Sequence, residues 1–176
     1  MSGLVVDVAD LIGRPGRSRE IHRGVAVPGL RTALGWVDDD AVVQVDLTID
    51  SVPEGVVVTG SVSAALHLSC SRCLIGYDRS FDQPVDETFS YAADGSDDGD
   101  GYALVGDQLD LEPMVRDVIV LAIPPVPLHD EACRGLCSTC GADLNTTDCG
   151  HTQTPEDLRW APLRAVFADL DKPAQH

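Results

Sequence analysis

The clearest pattern in the chain is a regular alternation of apolar and polar residues that begins near residue 41. In "AVVQVDLTID" every second position is apolar, which is the period of a strand with one buried face: Val43, Val45, Leu47 and Ile49. The turn "SVPEG" separates this segment from a second long strand, "VVVTGSVSAALHLSC". Further strands are predicted over "LIGYDRSFDQPV" and "DETFSYA". Because the connections are too short for crossover helices, we expect an antiparallel meander.

One main helix is predicted in "LDLEPMVRDVIVLAIP". Asp110 stands where an N-cap belongs, Pro113 lies in the first turn, and two prolines end the segment. The spacing of its apolar residues predicts a buried face made of Met114, Val115, Val118, Ile119, Leu121 and Ala122. The tail "TPEDLRWAPLRAVFADLDK" predicts a short amphipathic helix.

These elements predict an α+β fold, with a mainly antiparallel, twisted sheet or partial barrel, one packed helix and a C-terminal helical tail. We expect three parts: a β-rich core with the main helix over residues 1–125, a cysteine-rich zinc-knuckle module over 126–151, and a tail over 152–176. No apolar run approaches the roughly 18 residues that span a bilayer, and the first residues lack the order of a secretory signal. We therefore expect a soluble, cytoplasmic protein without a membrane partner.

Charge narrows the classes of partner. Lys and Arg number 12 and Asp and Glu number 29, which gives a formal net charge of −17. Such a surface repels phosphate and attracts a basic protein. Between Asp94 and Glu112 the chain carries acids and no base, so we predict partner contacts there, at Asp97, Asp98 and Asp100.

A net-positive stretch lies within residues 1–35 and offers the opposite hypothesis. Its arginines are candidates for contact with phosphate: Arg14, Arg17, Arg19, Arg23 and Arg31. A short basic segment of this kind is more often a solvated loop, which is the interpretation we prefer here.

The candidate chemistry lies in "CRGLCSTCGADLNTTDCGH", residues 133–151. In a reducing cytosol, clustered thiols are more often metal ligands than disulfides. Cys137 and Cys140 form a CxxC turn followed by Gly141, which is the shape of a zinc knuckle. A tetrahedral Zn²⁺ needs four such ligands, and four without an open position make a structural site rather than a catalytic one.

Two ligand sets are consistent with this spacing. The local set, which we prefer, is Cys133, Cys137, Cys140 and Cys149, with His151 as a further candidate. The second set joins Cys137 and Cys140 to the distant pair in "CSRC", Cys70 and Cys73. For that distant pair alone, metal binding, a redox role and simple burial remain open. The chain carries no GxSxG, HExxH, P-loop or dinucleotide motif, so we expect no enzymatic activity and no small-molecule substrate.

Three segments in this order resemble the YceD family, which is linked to accumulation of the large-subunit ribosomal RNA. They are "CSRCL" at 70–74, the helix "DQLDLEPMVRDVIVLAIP" with "PPVPLHDEAC" after it, and "CRGLCSTCGADLN". The family's central motif is matched by Cys70, Arg72 and Cys73, and its late motif by Cys133, Cys137, Cys140 and Cys149. Relatives often end that motif in Cys-x-Cys, whereas this chain has His151, which can also ligate zinc.

The resemblance implies a non-enzymatic factor in synthesis, processing or stability of 23S ribosomal RNA. We expect it to act through protein, with an acidic surface that holds a basic ribosomal protein or a large-subunit assembly factor. One alternative is direct RNA binding by Arg14–Arg31 with Arg72. Another is a thiol redox sensor that uses Cys70 and Cys73.

Overall fold

The computed structural model describes residues 3–91 and 101–151, and the chain divides into two compact units, Met1–Glu131 and Ala132–His176. Eight strands and one helix occur in the described part of the first unit. They are β1 (Val5–Asp7), β2 (Ser18–Val25), β3 (Gly35–Trp36), β4 (Val43–Val52), β5 (Gly55–Ser69), β6 (Gly76–Tyr91), β7 (Tyr102–Leu104), β8 (Gln108–Asp110) and α1 (Glu112–Ala122).

The main sheet has six strands, in the order β2-β4-β5-β6-β7, with β3 paired to β5. The pairs β2–β4, β4–β5 and β5–β6 are antiparallel, so the predicted meander is confirmed. The segments "LIGYDRSFDQPV" and "DETFSYA", predicted as separate strands, form one continuous strand, β6, and its residues 76–90 pair with β5. A parallel pairing adds β7 at Phe89–Tyr91, and a separate ribbon joins β1 to β8.

The core of the first unit lies against one face of this sheet. Alternate residues of the long strands point into it, including Val45, Leu47 and Ile49 of β4 and Val56, Val58 and Val62 of β5. Leucine and valine side chains from β1, β8 and the loop after β1 complete the same cluster. Burial of this apolar area from water is the main term that stabilises the sheet in this form.

The helix α1 is shorter and more exposed than its sequence predicted. It begins at Glu112, and Leu111 rather than the predicted Asp110 is its N-cap residue. Asp110 belongs to β8, and its side chain accepts a hydrogen bond from the Glu112 amide at 3.0 Å. Its buried residues are Met114, Val115 and Ile119. Leu121 is 83% exposed, so its predicted place on the buried face is wrong.

Several predictions fall on residues that the structure does not describe. The helical tail over 152–176 lies outside the described residues, and so do Asp97, Asp98 and Asp100. Over the ranges that are described, no helix has both the length and the apolar character to cross a bilayer.

Gly60 marks the closest approach of β5 to β4. Its φ is +141°, and a Cβ built there would lie 2.1 Å from the carbonyl oxygen of Asp46. Real Cβ atoms do not approach a backbone oxygen that closely, and neither strand can move without breaking the ladder. A glycine is therefore required at this position for the register of β4 and β5.

On the opposite face of the sheet, His67 is held between two carboxylates. Its Nδ1 lies 2.6 Å from Asp78 and its Nε2 lies 2.9 Å from Asp38, while its ring stacks on Trp36 at 5.3 Å between centroids. The hydrogen bonds with Asp78 and Asp38 raise the pKa of His67 above its ordinary value, against the opposing effect of burial. Both ring nitrogens donate only in the protonated form, which suits two acceptors.

We expect Gly60→Ala to lower the free energy of unfolding by about 2–3 kcal/mol, because the new methyl group overlaps the backbone of β4. Gly76→Ala is the matched control, since a Cβ at Gly76 meets no atom within 4 Å. Urea denaturation of both variants measures the difference. Equal stability of the two proteins would contradict the close approach described above.

The raised pKa of His67 predicts a pH-dependent stability. A group whose pKa is higher in the folded chain stabilises it below its unfolded pKa, near 6.5, and that contribution is lost as pH rises through the folded pKa. We therefore expect His67→Gln to lower the melting temperature more at pH 6 than at pH 9. The ring should titrate above pH 6.5 by NMR, and Asp78→Asn should bring its pKa down. A ring that titrates at or below 6.5 would refute this assignment.

Candidate metal centres and partner surface

The hairpin between β5 and β6 ends in a tight turn with the sequence "CSRCLI", residues 70–75. The Cys70 amide donates to the Ile75 carbonyl at 2.9 Å, and the Leu74 amide donates back to the Cys70 carbonyl at 2.9 Å. Leu74 has a φ of +62°, in the left-handed region. These bonds fold the CxxC turn so that the sulfurs of Cys70 and Cys73 lie within ligand distance of one another.

The second unit contains the same turn in "CSTCGA", residues 137–142. The Cys137 amide donates to the Ala142 carbonyl at 2.8 Å, and the Gly141 amide donates to the Cys137 carbonyl at 2.8 Å. Gly141 has a φ of +74°, which matches the conformation of Leu74 at the equivalent place. The chain therefore carries two copies of one knuckle, and its backbone requires a left-handed residue directly after the second cysteine.

In the first unit, the knuckle is accompanied by a histidine from the segment after α1. The Ser71 amide donates to the Pro127 carbonyl at 2.8 Å, and Arg72 donates through Nη1 to the Glu131 carbonyl at 3.2 Å. These bonds position His129, whose Nδ1 lies 3.4 Å from the Cys73 sulfur. The ligand atoms of Cys70, Cys73 and His129 lie within 4.8 Å of one another.

In the second unit, four ligand atoms gather around the knuckle. They belong to Cys137, Cys140, Cys149 and His151, and all lie within 4.8 Å of one another. The Cys137 sulfur is 3.8 Å from Nδ1 of His151. The structure thus brings together three residues of the preferred local set with the alternate His151.

Cys133, the remaining member of the predicted local set, is not part of that second group. It is buried, and its sulfur accepts a hydrogen bond from Nδ2 of Asn145 at 3.5 Å. The Asn145 side chain is oriented by two further bonds, from the Arg134 amide and to Asp143. A donor directed at a sulfur is the usual outer contact of a thiolate that binds a metal.

One thiol in each group has a shifted pKa: Cys70 in the first and Cys149 in the second. Burial acts to raise the pKa of Cys70, but hydrogen bonds from the His129 side chain and from nearby backbone amides outweigh it and lower the pKa to about 5. At Cys149 the His151 amide acts to lower the pKa. Hydrogen bonds with neighbouring thiols, together with burial, raise that pKa overall. Several thiols at this distance cannot all ionise unless a cation offsets their charge.

Both groups fit a metal ion that prefers sulfur and nitrogen. A tetrahedral zinc with Zn–S bonds of about 2.3 Å places its ligand atoms about 3.8 Å apart, and the ligand atoms of each group lie within 4.8 Å of one another. Thiolate and imidazole donors select zinc and similar ions over calcium or magnesium, which prefer oxygen. Either group can therefore hold a metal ion, and its knuckle fixes two of the ligands on one turn.

The outward face of the main sheet is a second candidate site, which we call the acidic face. It consists of the outward-facing positions of β2, β4, β5 and β6, none of which is Lys or Arg. Its carboxylates are Glu20, Asp46, Asp50, Asp78, Asp82 and Asp86. Small polar residues of β5, such as Ser61 and Ser63, lie between these acids. Two histidines complete the face: His67, and His22, whose pKa is raised by its hydrogen bond to Asp46.

The arginines of the N-terminal segment mostly bond within the first unit. Arg19 donates to the Asp7 carbonyl at 2.6 Å and pairs with Asp10. Arg23 donates to the Gly3 carbonyl, and Arg31 lies over the Trp36 ring at 5.1 Å from its centroid. Earlier in the segment, Arg14 donates through Nη1 to the Asp10 carbonyl at 3.4 Å, and the side chain of Arg17 is exposed. Most of these arginine side chains therefore already have a partner within the first unit, and their positions do not require a bound phosphate.

Two parts of these sites are absent from the predictions made on sequence. His129 was not predicted as a ligand, although its spacing in "HDEAC", four residues before Cys133, is a ligand spacing that could have indicated it. The acids of β6 recur every fourth residue, at Asp78, Asp82 and Asp86, and an alternating strand places such residues on one face. That regular spacing was the available signal for the acidic face.

Comparison with known proteins identifies a matching family model and relatives that cover most of the chain. Residues 58–167 match the family model described as "Large ribosomal RNA subunit accumulation protein YceD". An uncharacterized protein of Mycobacterium tuberculosis is 36% identical over 167 residues, which cover 92% of this chain and 80% of that protein. One of Mycobacterium leprae is 28% identical over 96% of this chain and 79% of its own length.

A plant relative carries a functional name. The chloroplastic "Large ribosomal RNA subunit accumulation protein YCED homolog 1" of Arabidopsis thaliana is 34% identical over 56 residues, which cover 32% of this chain and 17% of that protein. No solved structure matches the chain. The family model covers more than half of the chain and includes both knuckles, and the chain therefore belongs to the YceD family of large ribosomal RNA subunit accumulation proteins.

Proposed function

We propose that this protein is a non-enzymatic factor in biogenesis of the large ribosomal subunit, where it supports accumulation of 23S ribosomal RNA by holding a basic protein partner on the acidic face. The observation that carries the proposal is the composition of that face, with six carboxylates and neither Lys nor Arg at its outward positions. The partner is a basic ribosomal protein or a large-subunit assembly factor.

The geometry of the acidic face suits an extended basic segment. Along β6, Asp78, Asp82 and Asp86 are spaced by four residues, which is about 13 Å in a strand. Neighbouring strands are about 4.8 Å apart, so the carboxylates of β4 add a second row beside them. An array in which negative charge predominates attracts an oppositely charged chain from a distance and raises its rate of association.

Charge favours a protein partner over direct contact with RNA. A net charge of −17 repels a phosphate backbone, whose binding depends on neutralisation by Lys and Arg. The arginines that were candidates for such contact are largely engaged with carbonyl and carboxylate groups of the first unit. The proposal places the protein in the cytoplasm, where bacterial ribosomes assemble.

The metal ions in this proposal are two structural Zn²⁺ ions. One is held by Cys137, Cys140, Cys149 and His151. For the other, Cys70, Cys73 and His129 supply three ligands. In the group of Cys137, Cys140, Cys149 and His151 the protein fills all four positions, which leaves none open for substrate and agrees with a structural role.

We expect the full chain, purified without chelator, to contain two zinc ions per molecule by elemental analysis. Cys73→Ser and Cys137→Ser should each lower that number to one, because each removes one ligand of a different group. His22→Gln serves as the control, since His22 lies outside both groups. A single zinc ion in the unmodified protein would contradict the two-site arrangement.

We expect Asp82→Asn combined with Asp86→Asn to weaken binding of a basic peptide about tenfold in 50 mM salt, the equivalent of about 1.4 kcal/mol. The probe is a 12-residue peptide of two serines followed by alternating lysine and threonine, titrated by calorimetry. The matched control is Glu54→Gln with Asp107→Asn, which removes the same charge from exposed turn residues. The difference between the variants should shrink in 200 mM salt.

Equal losses in both double variants would mean that only net charge matters, and the acidic face would then have no special role. In cells that lack the protein, we expect a lowered ratio of 23S to 16S ribosomal RNA. The control variant should restore that ratio and the variant of the acidic face should not. Full restoration by both variants would separate the accumulation of 23S RNA from this surface.

A further inference from the structure

Leu74 is held in a backbone conformation that does not suit its side chain. It is the one non-glycine residue with positive φ in the described ranges, at +62°. Branched side chains are disfavoured there because the Cβ crowds the following carbonyl oxygen. The matching position of the second knuckle is Gly141, at +74°, so the turn itself is satisfied by glycine. The knuckle therefore accounts for the backbone conformation of Leu74, but it does not account for a large apolar side chain at this position.

Packing against the described residues, 3–91 and 101–151, does not explain that side chain either. Leu74 is 69% exposed and Ile75, which follows it, is 51% exposed. Their backbone is nevertheless fixed, since Leu74 donates to the Cys70 carbonyl and Ile75 accepts from the Cys70 amide. Two large apolar side chains thus stand on a rigid turn and face solvent, which is the arrangement of a contact site for a partner.

We propose that Leu74 and Ile75, which we call the apolar tip, bind an apolar side chain of the basic protein segment that occupies the acidic face. This inference rests on the proposed function and adds to it the position and chemistry of the partner's anchor. The partner segment carries Lys or Arg residues along its length and one or two large apolar residues at the end that lies over the knuckle.

Continuity with the acidic face favours this occupant. Ile75 immediately precedes β6, and the outward row of carboxylates begins three residues later, at Asp78. A segment that runs along β6 with its cations over Asp82 and Asp78 therefore ends at the apolar tip. A second copy of this chain is disfavoured because each copy carries a charge of −17. RNA is disfavoured because aliphatic side chains neutralise no phosphate.

The test uses Leu74→Gly in the full chain, loaded with zinc. Glycine adopts the left-handed conformation without strain, so the melting temperature should rise by roughly 2–4 °C. Leu121→Gln is the matched control, because Leu121 is also a largely exposed leucine, at 83%, and lies on α1. A fall in the melting temperature of Leu74→Gly would mean that Leu74 is held by contacts within the chain, and that result would overturn the proposal.

Binding is measured with two peptides. One is the basic peptide described above, which begins with two serines, and the other is identical except that it begins with two leucines. We expect the unmodified protein to bind the leucine peptide at least fivefold more tightly than the serine peptide. Leu74→Gly should remove that advantage and leave the affinity for the serine peptide unchanged, while Leu121→Gln should preserve both affinities.

The two peptides separate this inference from the function on which it rests. If the serine peptide binds through the acidic face and the leucine peptide gains nothing, the apolar tip is not an anchor and the proposed function stands. If Leu74→Gly keeps the leucine advantage, the anchor lies elsewhere and the inference fails. If neither peptide binds the unmodified protein, the proposed function fails first.

Discussion

The period of two along the long strands is the constraint on which the rest of this molecule depends. Each residue of β4, β5 and β6 must face either the apolar core or the opposite side, and the pairing register links that choice across all three strands. Val45 and Leu47 face the core while Asp46 faces away from it, and the same alternation recurs along β6. The core and the acidic face are therefore two results of one pattern.

Each of the two knuckles reverses the direction of the chain and at the same time brings two cysteine sulfurs together. In each, the first cysteine both donates and accepts a backbone hydrogen bond across the turn, so the sulfurs are positioned by the backbone before any ion binds. Clustered thiolates repel one another, and a bound cation converts that repulsion into attraction. At the first knuckle this coupling ties the end of a long hairpin to the segment that carries His129.

The spacing of apolar residues within a short segment was enough to predict the long strands and the helix. The alternation from Val43 onward and the apolar spacing around Met114 specify strands and a helix without knowledge of anything distant. The division of this region into two strands was wrong, because β6 runs without a break. Pro84 is tolerated within it since, over residues 76–88, β6 pairs with β5 alone among the described strands, and an edge strand tolerates a missing amide. Leu121 follows the helical spacing, but the core ends before it reaches that residue.

The sites were harder to predict because they depend on contacts between distant residues. Cys73 and His129 are 56 positions apart, and nothing in either local sequence shows that the segment after α1 passes beside the β5–β6 turn. The spacing of Cys137, Cys140, Cys149 and His151 is local, and the sequence did indicate a metal site there. The acidic face is intermediate, since its residues are visible along each strand but become one surface only through the register.

The register also limits how this chain can change length over evolutionary time. An insertion of one residue between Gly60 and Cys70 would turn every outward side chain of that part of β5 inward, and would reverse the direction of the knuckle relative to the sheet. An insertion before Gly60 would move the glycine away from the point where β4 leaves no room for a Cβ. Length variation in relatives should therefore concentrate in the turns, and changes within β5 and β6 should occur in paired steps of two.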